Sequence, residues 1–282
     1  MMKAPARGRV EMRSVGKRFD RTTVLENCSI EFRPGVITGL IGPSGCGKTT
    51  IIDLIAGYAA PDKGEILLDG IPVSGPGWER LVVFQETTLF PWKSTLRNVA
   101  FGALNRGARR PETIDRSRAL LSRLGLAGFE TKYPTQLSGG MQRRAELARA
   151  LINDPKVMLL DEPFRGLDAM TRELLQEYFL KVFEENPITT IFVTTEVEEP
   201  IFLSDVIVML SNPPTSLKKM IEVDLPRPRK LNMLSSPRFA ELQTVALDGL
   251  LEEARKAFNE GMEEAAELME AFGQAMRGRA EH

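Results

Sequence analysis

The stretch Gly42-Pro43-Ser44-Gly45-Cys46-Gly47-Lys48-Thr49, followed by Thr50, decides how the chain is read. An apolar run, Val36-Ile37-Thr38-Gly39-Leu40-Ile41, leads into it and reads as a buried strand. A helical pattern, Thr49-Thr50-Ile51-Ile52-Asp53-Leu54-Ile55-Ala56, leads out, with Gly57 as its stop. The eight residues match the pattern G-x-x-x-x-G-K-[ST] at every specified position. Glycines let the backbone curl so that successive N–H groups face phosphate oxygens. The helix N-terminus adds unpaired donors and partial positive charge. Lys48 reaches the outer phosphates as a point charge, and the Thr49 hydroxyl suits Mg²⁺. A chance glycine-rich turn would lack the strand before and the helix after, so the loop is read as a nucleotide phosphate site.

Working outward, 282 residues allow one large domain or two small ones, with a sizeable core. The 37 basic and 38 acidic side chains nearly cancel, which leaves no electrostatic case for nucleic acid or an anionic membrane. No apolar run approaches the ~18 residues of a membrane span. Met1 to Val10 is short and basic and lacks the apolar core of a signal peptide, so the expected location is the cytosol. Cys28 and Cys46 are too few and too isolated for a disulfide framework or a metal cage. Cys46 is read first as a small filler of the loop, and second as a reactive thiol.

Before the loop, Val10–Val15 and Cys28–Phe32 read as strands separated by turns at Phe19-Asp20-Arg21 and Arg33-Pro34-Gly35. Gly64–Gly70 and Ile71–Val73 read as a hairpin across Asp69-Gly70. Leu81–Phe84 is a continuous apolar run, expected to be a strand covered on both faces, with Gln85 at its end. Glu86 to Leu151 is mostly helical in pattern, and includes a helix from about Gly140. Then come a strand at Val157–Leu160, a helix at Ala169–Glu185, a strand at Ile188–Thr194, a short helix at Glu196–Leu203 and a strand at Val206–Leu210. This alternation predicts a parallel sheet in an α/β fold.

Two further stretches carry chemistry. In Val157-Met158-Leu159-Leu160-Asp161-Glu162, two acids follow a buried strand at the end where α/β sheets place ligands. Asp161 would hold Mg²⁺ through water, and Glu162 would polarise an attacking water. In Leu137-Ser138-Gly139-Gly140-Met141-Gln142-Arg143-Arg144, a serine and two glycines open a helix. That is either a second anion cradle or an ordinary Ser138 cap, and the residues alone do not choose.

The set resembles the nucleotide-binding subunit of ATP-binding-cassette (ABC) transporters over nearly all of Gly8 to Leu210. The likeness rests on Walker A (Gly42–Thr49), Gln85, the signature Leu137–Gly140, Walker B (Val157–Asp161), Glu162 and the D-loop Gly166-Leu167-Asp168. It implies a P-loop cassette at 8–225, with a RecA-like parallel-sheet core, an antiparallel β subdomain and a helical subdomain at about 86–151. A connector and C-terminal helical extension occupy 226–282. It also implies a head-to-tail dimer, either homomeric or with a second ABC subunit, that sandwiches two ATPs. Each nucleotide would touch Phe19, Gly42, Pro43, Ser44, Gly45, Cys46, Gly47, Lys48, Thr49 and Thr50 of one chain. Ser138, Gly139 and Gly140 of the other would close the site, with Asp168 also at the nucleotide and Mg²⁺ at Thr49, Gln85 and Asp161. Glu162, Gln85 and the residue at Thr195 would serve hydrolysis. The implied partners are transmembrane permease subunits and a solute-binding protein, on the cytoplasmic face of the inner membrane. Phe90 and Trp92, if exposed, would grip the permease.

Phe84-Gln85-Glu86, Leu89–Trp92, Asn98-Val99, Glu196–Glu199 and the run Glu222–Arg229 look like importers of the nitrate, sulfonate and taurine type. One position departs. The family has a histidine after the strand at Ile188–Thr194, whereas this chain has Thr195, and its one histidine is His282. A threonine hydrogen-bonds but carries no positive charge and reaches less far. Slow hydrolysis is therefore expected, or a regulatory cassette that pairs with a catalytic one; the alternative is a tolerated substitution. A soluble ABC ATPase acting on DNA or ribosomes is disfavoured by the single cassette and the lack of a basic patch. In the tail, an apolar stripe runs from Phe239 through Leu242, Ala246, Leu250, Ala254 and Phe258 to Met262, Ala265, Met269, Phe272 and Met276. Glycines at 249, 261 and 273 predict two helices there rather than one, packed on the domain or offered to a partner.

Overall fold

The computed structural model describes residues 7–280, with side chains described through residue 259. The chain opens with β1 (Val10–Phe19), β2 (Thr22–Phe32) and β3 (Ile37–Ile41), then α1 (Lys48–Ala56). Strands β4 (Lys63–Leu68), β5 (Ile71–Pro72) and β6 (Arg80–Val83) follow. The helices α2 (Thr95–Asn105), α3 (Arg110–Arg123) and α4 (Gly139–Leu151) make the helical subdomain. Then β7 (Val157–Asp161), α5 (Ala169–Glu185), β8 (Thr189–Val193), α6 (Glu198–Leu203), β9 (Val206–Leu210), β10 (Leu217–Glu222) and α7 (Pro237–Ala280) complete the chain.

One sheet has the order β10-β9-β3-β8-β7-β6, parallel except for the antiparallel edge pair β10-β9. The other, β2-β1-β4-β5, is antiparallel. The period of two along each central strand sends alternate residues to opposite faces, and both faces are covered. Met158, Leu160, Phe192, Ile207 and Met209 enter a core built with α4, α5 and α7. Val157, Leu159, Ile191, Val193, Val206 and Val208 enter a second core with α1 and the antiparallel sheet. The parallel sheet thus forms the floor between two apolar layers. Its central strand β3 ends at the glycine-rich loop.

Three expectations change. Leu81 and Val82 are only half-buried, because β6 is an edge strand and not a strand covered on both faces. Strand β10 was not legible: Lys218 and Lys219 interrupt its apolar pattern, as suits an edge that must not recruit another chain. The tail is one helix, not two. A glycine in a helix costs only about 1 kcal/mol, and Gly249 has a packing reason, since a Cβ there would lie 2.4 Å from Met209 Sδ.

Helix α7 is docked through its first half. Phe239, Leu242 and Ala246 are buried in the α4–α5 core. Glu253, also buried, accepts from the Asn212 N–H at 2.9 Å and from Lys218 Nζ at 2.7 Å. The connector is fastened by Arg229, which donates to the carbonyls of Phe202 (2.9 Å) and Ser204 (2.6 Å) at the end of α6. Burial, with Arg227 beside it, pushes that guanidinium down to about 10. Phe258 is 68% exposed. The stripe from Met262 to Met276, and His282, lie outside the residues whose side chains are described.

This division sets an expected outcome in urea unfolding. Phe239→Ala should lower the unfolding free energy by about 3–5 kcal/mol through loss of a buried ring. Phe258→Ala should change it by less than about 0.5 kcal/mol.

Candidate functional site

The loop between β3 and α1 turns tightly because Gly45 and Gly47 take left-handed φ of 77° and 86°. At Gly47 a side chain would also collide with the subdomain behind it, its Cβ falling 2.6 Å from Val24 Cγ1. At Gly42 a Cβ would fall 2.8 Å from Cys46 Sγ. Ser44, Gly45 and Thr49 face outward, Pro43 and Thr50 are half-exposed, and Cys46 and Lys48 face in. The Lys48 ammonium donates to the carbonyls of Gly42 (2.9 Å) and Pro43 (2.8 Å), which sets a positive charge inside the curl.

Strand β7 brings its acids to the same end of the sheet. Thr49 Oγ1 donates to Asp161 Oδ2 at 3.2 Å, so the first residues of α1 and the last of β7 meet. Burial pushes the Asp161 carboxyl above its usual range; the Thr49 hydroxyl opposes this and Glu162 adds to it. A desolvated carboxylate beside another acid, with a hydroxyl oxygen at hand, is an oxygen donor set that fits a hard divalent cation. Glu162 sits at φ 44°, a left-handed conformation that costs a non-glycine residue roughly 1–3 kcal/mol. Its N–H donates to the Val193 carbonyl at 3.0 Å, which sets the acid against the end of β8.

Beside the acids lies a cavity of about 260 Å³ that Glu162, Arg165, Thr195 and Glu199 help to line. Thr195 is exposed at its rim and Thr194 is buried. The Thr194 hydroxyl donates to Glu199 at 2.6 Å and accepts from the Glu196 N–H at 3.1 Å, which fixes the turn carrying Thr195. Arg165 Nη1 donates to Glu162 Oε2 at 2.7 Å.

The other expected residues sit on separate elements. Ser138 caps α4, accepting from the Met141 N–H at 3.3 Å. Gly140 faces α5, where a Cβ would fall 2.4 Å from Thr171 Cγ2, and Gly139 has open space before it. Asp168 caps α5, and its carboxyl is held below its usual range by the Thr171 hydroxyl and N–H. Phe19 is 48% exposed at the tip of β1, with the Lys17 ammonium 5.4 Å from its ring centre. Gln85 is exposed beyond the end of β6. Trp92 is 70% exposed, while Phe90 is half-buried and packs edge-on to Phe101 at 4.8 Å. The structure therefore joins Lys48, Thr49, Asp161 and Glu162 in one place, and leaves the Ser138 cradle on the helical subdomain.

Some contributors carry no motif. The Thr215 hydroxyl donates to the Cys46 carbonyl at 2.7 Å, and its backbone pairs with Val24 and Glu26. That residue pins the loop to the antiparallel sheet. Arg143 and Glu146 hold the backbone around Gln85. Only their charge on the inner face of a helix could have drawn notice.

Cys46 is fully buried, and burial raises its thiol above the usual range, so it stays protonated and unreactive near neutral pH. Iodoacetamide at pH 7.5 should leave both cysteines of the native protein unmodified over a time that fully labels the urea-unfolded chain; mass spectrometry reads the difference.

Comparison with known proteins agrees with this geometry. The family model described as ABC transporter matches residues 25–165. A taurine import ATP-binding protein of Pseudomonas putida is 43% identical over 203 residues, covering 72% of this chain and 78% of that protein. A nitrate import ATP-binding protein of Synechococcus elongatus is 39% identical over 246 residues, covering 84% and 89%. Among solved structures, a dimeric ATP-binding cassette bound to ADP and phosphate superposes with a TM-score of 0.66 at 27% identity, covering 77% of this chain and all of that one. With Walker A, Walker B and the signature helix placed as described, the chain belongs to the ATP-binding proteins of the ABC transporter family.

Proposed function

We propose that the chain energises an importer of a small anion of the nitrate, sulfonate or taurine kind, by binding and hydrolysing ATP between two cassettes. The observation that carries this reading is the meeting of Thr49 and Asp161 at 3.2 Å beside Lys48 and Glu162, at the mouth of a glycine-rich loop. The nitrate and taurine relatives support the transport class and the kind of solute.

In this reading Phe19 stacks on the adenine. The N–H groups of the loop from Gly42 to Thr50 and the Lys48 ammonium take the phosphates. Thr49, Asp161 and Gln85 hold Mg²⁺, which when bound shields the outer phosphate charge. Glu162 orients and polarises the attacking water. Ser138, Gly139 and Gly140 of a second ABC subunit complete the phosphate site, with Asp168 at the seam, so ATP favours the closed pair and its hydrolysis the open one. Trp92, 70% exposed, would meet a permease subunit, which in turn would work with a solute-binding protein. No helix among the described residues is long and apolar enough to cross a membrane. The proposed place is peripheral, on the cytoplasmic face of the inner membrane and away from nucleic acid.

Thr195 favours a second reading of the rate. It stands at the cavity beside Glu162 without a charge to offer the outer phosphate. Loss of one fixed transition-state contact commonly costs on the order of 10²–10³ in rate. Hydrolysis should therefore be slow, and a paired cassette with a histidine would carry most of the turnover.

Steady-state phosphate release with Mg²⁺ and ATP tests both readings. The expected result is slow turnover that Glu162→Gln abolishes and Thr195→His raises at least about tenfold. Turnover indifferent to Glu162→Gln would overturn the assignment of the acid. An unchanged rate in Thr195→His would remove the case for a weakened subunit.

A further inference from the structure

Helix α4 begins at Ser138, and within two turns it buries charge where apolar packing would suffice. Arg143 is 6% exposed and Glu146 2%. Arg143 Nη1 pairs with Glu146 Oε2 at 2.9 Å. The same guanidinium donates to the Phe84 carbonyl at 2.5 Å and, through Nη2, to the Gln85 carbonyl. Glu146 Oε1 accepts from the Thr88 N–H at 2.5 Å and from its hydroxyl at 3.1 Å. Arg149 donates to the Thr88 carbonyl at 2.7 Å. The inward polar atoms of three side chains thus end on one five-residue segment.

A buried ion pair is poor ground for stability, since apolar residues of the same volume often serve as well. What it supplies is direction. A planar fork that grips two successive carbonyls fixes both the place and the orientation of that peptide. Strand β6 ends at Val83, so Gln85 lies beyond the ladder with β7. Its backbone is anchored to α4 instead.

We propose that Arg143, backed by Glu146, is a positioning residue that sets Gln85 from helix α4. The clamp ties Gln85 to the same helix that Ser138 caps. The inference rests on the reading of Gln85 as a group that reaches the cation and phosphate site, and deepens it.

The test uses the full chain in a Glu162→Gln background, where nucleotide binds without turnover, with Mg²⁺ and ATP as probes. Gln85→Ala, Arg143→Met and their combination are compared by ATP affinity with and without Mg²⁺, and by amide exchange at residues 84–88. The expected result is that each single change reduces the gain in ATP affinity from Mg²⁺ by on the order of tenfold. The combination should be no worse than either, and Arg143→Met should speed exchange at Thr88. Arg143→Lys keeps the pairing charge but not the fork, so it should show the same loss without unfolding the chain. Parental behaviour in Arg143→Met or Arg143→Lys would overturn the positioning role, as would losses that multiply in the combination. A Gln85→Ala protein with the full Mg²⁺ effect would overturn the reading of Gln85 itself, a distinguishable failure.

Discussion

The tight return of the chain from β3 into α1 is the constraint on which the rest depends. It requires no side chain at Gly42 or Gly47, because Cys46 and Val24 occupy that space. It also requires a positive group inside the curl, which Lys48 supplies against the Gly42 and Pro43 carbonyls. The Thr215 hydroxyl on the Cys46 carbonyl makes the loop a shared boundary of both sheets. A shift of the antiparallel sheet therefore cannot leave the loop unchanged. The parallel register does the remaining work: Leu40 and Leu160 each pair with β8, so the ends of β3 and β7 sit at one level and Thr49 meets Asp161.

Charge is distributed by burial rather than by number. The chain is nearly neutral, yet the desolvated Asp161 adjoins Lys48 at the sheet and an ion pair is buried under the segment after β6. The first set suits the recognition of a polyphosphate with its cation. The second sits just past the end of β6 and explains how a loop outside the ladder keeps a defined shape. Lys48, Thr49, Asp161 and Glu162 are thus held by the sheet, while Ser138 and, through Arg143, the Gln85 backbone are held by α4.

Local pattern made much of this legible. The strand–loop–helix at 36–57, the Asp69-Gly70 hairpin, the acid pair after Leu160 and the helix at Ala169–Glu185 each carry their own period and stop signals, and each is where it was expected. What stayed hidden depends on partners distant in sequence. Nothing in Leu81-Val82-Val83 tells an edge strand from a central one, because the missing neighbour lies elsewhere. Thr215 is an ordinary loop residue until Cys46 is placed beside it, 169 positions away. Nothing local ties Arg143 and Glu146 to the segment at Phe84–Thr88, which lies 59 and 58 positions away at the bonds they make. Gly249 misleads for the same reason, since it answers to Met209 rather than to helix propensity.

The proposed phosphate site is shared between two cassettes, with the loop of one facing the signature helix of the other, and a second copy of the chain can stand as that partner in isolation. Light scattering of the Glu162→Gln protein, with and without ATP, tests it most directly. ATP should double the mass, and Ser138→Arg, which blocks the cradle without touching the loop, should abolish the doubling while ATP still binds. An unchanged mass at saturating ATP, or doubling that survives Ser138→Arg, would contradict it.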